Sequence, residues 1–198
     1  MLTSTYTLVA LSVEQSRARL EVQAVLERWR PGAWWGEPPA VRQYGQACEA
    51  LRRVLDDCHW RKLDKFLLPA LRRCGAVADG LLAELDCLSR HAAAAGCAAE
   101  LAASEGDPGC LAAIERCCQL LLERLEREEH ELMPLARSKI SGEMWFAIAN
   151  QMLAHDAYQS EQRGGAGAVP HAPAAPAFAG KQSSGAASAI KHFLPLAN

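Results

Sequence analysis

The sequence predicts an all-α protein: an antiparallel, up-down-up-down four-helix bundle with a short fifth helix and a disordered C-terminal tail. Three observations carry this prediction. Half of the 198 residues are hydrophobic but only 6% are aromatic, and the chain is rich in Ala, Leu, Glu and Arg, a composition that favours helix over strand. Apolar residues recur at three- and four-residue steps over long stretches, the period of one helix face. The connections between those stretches are short and carry Gly, Pro, Ser and Asp.

The first helix is predicted from about Thr7 to Arg30, stopping at "PGAWWGEPP". Leu8, Leu11, Ala18, Val22, Val25 and Trp29 form its apolar alternation, and Gln15 occupies the missing step, so it faces inward. The second helix begins near Pro39, a favoured first-turn residue, and runs to about Arg73. Its expected buried face is Val41, Tyr44, Cys48, Leu51, Leu55, His59, Leu63, Phe66 and Ala70, which places His59 on the seam. The third helix follows "CGAVADG" and extends to about Ser104, with Leu81, Leu85 and Leu88 inward, and "SEGDPG" ends it. The fourth runs from about Pro108 to Lys139. Its seam is Leu111, Ile114, Cys118, Leu121, Leu125, Leu132 and Leu135, with Glu128 filling the gap. The fifth, "SGEMWFAIANQMLAHDAYQ", takes Ser141 as its N-cap. Pro69 and Pro134 fall late in the second and fourth helices, where a kink or loosened turn is expected.

The organisation is one helical domain, residues 1–162, followed by a Gly/Ala/Pro-rich flexible tail, 163–198. The first part carries a formal charge of −5 and the tail +3, so no basic nucleic-acid footprint is present. "MLTSTYTLVALSVEQ" lacks the features of a signal peptide and no apolar run spans a bilayer, so a cytoplasmic protein is expected, with neither membrane nor nucleic acid as partner. The tail ends in "AIKHFLPLAN", which reads first as a disordered terminus, with docking on an unknown protein partner through its apolar residues as the alternative. The chain is cysteine-rich, with eight cysteines, none in Cys-x-x-Cys spacing. They read first as buried packing groups. Vicinal Cys117 and Cys118 beside Arg116 leave a reactive-thiol reading open.

The candidate centre comes from an internal echo. "HWRKLDKFLLPALR" (59–72) and "RLEREEHELMPLAR" (124–137) each run ten residues from a basic side chain to a proline. Residues four apart share a helix face, so His-x-x-x-Glu aims two ligands inward. Here His59 is followed by Leu63, and Arg124 by Glu128, so each copy holds half of the pair.

These segments and the long-helix layout resemble a hemerythrin-like protein of the His-His-Glu cation-binding class, over roughly residues 7 to 160. The resemblance implies a bundle in which two helices each give one histidine and two each give His-x-x-x-Glu to a di-iron centre. Mapped onto this chain, the ligand positions are Gln15, His59, Leu63, Leu85, Arg124 and Glu128. Four of them, Gln15, Leu63, Leu85 and Arg124, no longer carry a ligand of the family, and only His59 and Glu128 do.

Two remaining donors do not satisfy a di-metal site. The expectation is therefore a buried polar cluster of Gln15, His59, Arg124 and Glu128, without cofactor, in which Arg124 pairs with Glu128. The alternative is a metal, oxygen-binding or redox-sensing protein with a mononuclear iron or other single-ion site. It would be built on His59 and Glu128, with Asp64, Asp86, His91 or Cys58 recruited. His130 and His155 are expected on outer faces. No Ser-His-Asp arrangement, phosphate loop or pair of inward carboxylates points to catalysis, so the reading is a non-enzymatic binding or regulatory scaffold.

Overall fold

A computed structural model describes residues 2–30, 40–59 and 61–165, with side chains from 4 to 161. Every regular element among them is helical. Helix α1 spans Leu2–Trp29, α2 Val41–His59, α3 Leu68–Arg72, α4 Asp79–Glu105, α5 Gly109–Arg127, α6 Met133–Lys139 and α7 Gly142–Gly165. A π-helical turn, Leu63–Leu67, leads into α3, and a second, Glu128–Leu132, joins α5 to α6. No described helix is long and apolar enough to cross a membrane.

The second predicted helix does not run unbroken to Arg73. It stops at His59 and resumes beyond Arg61, because side chains take over the backbone partners there. The carbonyl of Cys58 accepts from Arg61 Nε at 3.0 Å, and the Lys62 N–H donates to Glu14 Oε2 at 2.8 Å. Both expected proline irregularities are π-turns. The Leu68 N–H reaches back to the Leu63 carbonyl and the Met133 N–H to the Glu128 carbonyl, one residue further than in an α-helix. The extra residue accommodates Pro69 and Pro134, which sit at the first turn of the helices that follow and have no N–H to offer.

Helix α4 ends where the turn chemistry places it. Gly106 adopts φ 71°, and its N–H caps the carbonyls of Ala102 and Ala103. Ser141 caps α7, its Oγ accepting from the Met144 N–H at 3.3 Å. Helix α7 is a full 24 residues and passes through the expected boundary at 162. The expected stop "PGAWWGEPP" and residues 166–198 of the C-terminal tail lie outside the described residues.

The core consists of two apolar clusters. One gathers Ala18, Val22, Val25 and Trp29 of α1, the buried face of α2 up to Cys58, Ala92 and Ala99 of α4, and α5 from Cys110 to Leu125. The other gathers Leu8 and Leu11, Leu63, Leu67, Leu68, Ala70 and Leu71, Leu82 and Leu85, Leu132 and Ala136, and Trp145, Ile148 and Met152 of α7. On α1 the division falls at Gln15, on the second segment at Arg61, and on the fourth at Glu128. A polar layer thus separates two apolar halves.

A buried polar centre as candidate functional site

Glu128 opens the second π-turn and has no exposed surface. A carboxylate so placed needs charge-assisted partners to offset its lost hydration. It has them in Arg61, 3% exposed, which donates from Nη1 to Oε2 and from Nη2 to Oε1, both at 2.7 Å. This parallel fork is the strong bidentate geometry of a guanidinium on a carboxylate. Arg124 approaches from the other side, its Nε 2.9 Å from Oε1. That approach is an ion pair without hydrogen-bond alignment, for Arg124 Nε is a buried donor with no partner.

Asp64 ties the two arginines together. Arg61 Nη2 donates to its Oδ2 at 3.3 Å, and Arg124 Nη2 donates to its Oδ1. Gln15 closes the layer by donating from Nε2 to the Leu125 carbonyl at 2.7 Å, with Glu128 Oε2 at 3.5 Å. Two guanidiniums and two carboxylates make this network neutral. Burial works to lower the Arg61 pKa, but the charge and hydrogen bonds of Glu128, with Asp64 adding to them, outweigh it and raise the pKa.

Of the expected cluster, Gln15, Arg124 and Glu128 come together and His59 does not. His59 is exposed at the end of α2, and Arg61 holds the place expected for it. The reason is helix phase. The steps 51, 55, 59 and 63 each advance about 400°, so they drift about 40° per step off any fixed face. The residues actually buried, Leu51, Val54 and Cys58, mix three- and four-residue steps, and the next member of that series is Arg61. Continuing it would have found Arg61 in the sequence. Leu63 and Leu85 are buried in the apolar half beside the polar layer.

The other sequence candidates scatter. Asp86 is exposed and pairs with Arg72 at 3.0 Å, and exposed His91 lies 3.8 Å from the Cys87 thiol. His130 is exposed. His155, expected on an outer face, is half-buried: it packs edge-on to Phe66, with Lys65 Nζ 3.0 Å from its Nε2. The reactive-thiol reading also fails. Cys117 and Cys118 are fully buried, and burial pushes both thiols up to about 12, away from the thiolate form a nucleophile needs.

Among the described residues no three His, Cys, Asp or Glu side chains are grouped to hold a metal ion. Iron, which the hemerythrin-like resemblance implies, does not fit this donor set. Both oxygens of Glu128 already accept from Arg61, and two fixed cations stand where a metal's charge would be. Comparison with family models, curated proteins and solved structures finds no match.

Proposed function

We propose that the chain is a non-enzymatic binding or regulatory scaffold on a hemerythrin-like, up-down-up-down four-helix bundle, with an ion-pair network in place of the di-iron centre. The observation that carries this reading is the Arg61 fork on Glu128. It takes up both oxygens of the one carboxylate left at a family ligand position and supplies internally the positive charge that metal would bring. The two π-turns support the descent. Leu63 and Glu128 open them at the two glutamate positions, 65 residues apart, as are Pro69 and Pro134.

In this reading α1, α2 with α3, α4, and α5 with α6 are the four bundle members, and α7 is the added helix. The C-terminal tail is the segment through which a protein partner is engaged. The test is elemental analysis and a visible spectrum of protein purified anaerobically from iron-supplemented cells. The reading expects far less than one metal ion per chain and no oxo-bridge absorption. Two irons per chain, lost on Glu128→Ala, would overturn it.

A further inference from the structure

Helix α1 has two apolar faces, and among the described residues only one of them is covered. Leu8, Leu11, Gln15, Ala18, Val22, Val25 and Trp29 are buried. Diametrically opposite, Tyr6, Val9, Val13 and Leu20 are 60, 56, 65 and 66% exposed. With Ser16 they fall at alternating steps of three and four, the a/d spacing of a coiled coil, and Leu2 occupies the next such position towards the N-terminus. No residue from 2 to 13 is charged. An outward stripe of this kind marks an interaction surface rather than an ordinary solvated face.

We infer that this stripe pairs with the same stripe of a second copy, antiparallel, about a two-fold axis between Val9 and Val13. In antiparallel pairing an a position faces a d position of the other helix. One register then matches the described members, Tyr6 with Ser16 and Val9 with Val13 of the second copy, each pair occurring twice, and brings Leu20 to the height of the first turn of the other helix. The largest side chain meets one of the smallest, and Ala10 and Ser12 flank the axis, where small residues let helices approach closely.

Charge also favours a second copy. Arg17 and Arg19, beside the stripe, are compensated within their own chain, by Glu21 at 2.9 Å and Glu129 at 2.7 Å. In the antiparallel register they come opposite the uncharged positions Thr3 and Thr5, so no like charges face each other. The chain's own segment 189–198 would instead bring Lys191 and His192 to a face already flanked by two arginines. The paired segment, residues 2–20, is ~27 Å long. This sets the interface at the small end of specific ones, below ~1,200 Å² in total, the size class of weak and transient complexes, so micromolar concentrations are the range to search.

Sedimentation equilibrium of the full, reduced chain from about 5 to about 300 µM tests this. A monomer–dimer equilibrium is expected, weakened at least about tenfold by Val13→Lys, a change at an exposed site that leaves helicity by circular dichroism unaltered. Adding Val9→Glu to Val13→Lys restores the dimer, because each Glu then faces a Lys of the other copy. In parallel pairing Glu would face Glu and Lys would face Lys. A wild type that stays monomeric, or that binds anionic vesicles as a monomer through this stripe, overturns the proposal. So does a dimer indifferent to Val13→Lys, or one that Val9→Glu fails to restore.

Discussion

Arg124 holds two carboxylates at once, Asp64 through Nη2 and Glu128 through Nε, and is itself almost fully buried. Removing it leaves Glu128 with one counter-ion and Asp64 with a weakened partner. Arg124→Ala is therefore expected to cost about 3 to 5 kcal/mol in urea unfolding. His59→Ala, at an exposed position, stays within about 1 kcal/mol. Equal effects at the two positions would return His59 to the centre. The buried thiols give a pH signature of their own. Burial raises Cys58 to about 11 and Cys117 and Cys118 to about 12, whereas an unfolded chain releases these protons near 9.0. Between those values the folded state binds more protons than the unfolded one, so stability is full below pH 9 and falls as pH rises, by about 1.4 kcal/mol per unit for each thiol. Thermal unfolding followed from pH 8 to 11 should show this decline, and it should be shallower in Cys117→Ala/Cys118→Ala. A melting temperature flat across that range would mean that the thiols are not sealed in the core.

At the scale of the element, helix ends and turns were more legible than helix phase. "SEGDPG" announced the end of α4, and the left-handed Gly106 executes it with Val41 Cγ1 only 3.3 Å from where a Cβ would lie. Gly106→Ala should cost about 1 kcal/mol by strain at positive φ, measured by chemical denaturation. A neutral substitution would show that α4 ends differently. The prolines likewise announced an irregularity, and the structure gives it the form of a π-turn in both places. Phase was read correctly on α1 and on α5 with its π-turn, where mixed three- and four-residue steps put Gln15, Arg124 and Glu128 inward. It was misread on α2, where repeated four-residue steps led to His59 instead of Arg61. The break after His59 had no signal in a linear reading either. It depends on Glu14, 48 residues away, accepting from the Lys62 backbone.

Across the described residues, the polar layer divides the core into two apolar halves, and the bonds that close it join residues between Gln15 and Glu128. Truncation after Gln162 removes only the last turn of α7 from the described helices, where fraying is ordinary, so unfolding free energy should change by less than about 0.5 kcal/mol. A larger loss would mean that the removed segment packs on the body. The helical class and the presence of a polar centre could be read from composition and periodicity. The ion-pair partner follows from the three- and four-residue steps 51, 54, 58 and 61, whereas its fork on Glu128 has no linear signal, because it forms where the helix breaks. The most direct test of that centre is a double-mutant cycle on Arg61 and Glu128, using Arg61→Met and Glu128→Leu, read as global unfolding free energy in urea. Each single change should cost about 3 to 5 kcal/mol, since it strands a buried charge. The double change should cost much less than their sum, with a coupling energy above about 2 kcal/mol. A coupling below about 0.5 kcal/mol would contradict the account, because Arg61 and Glu128 would then not depend on each other in the folded core.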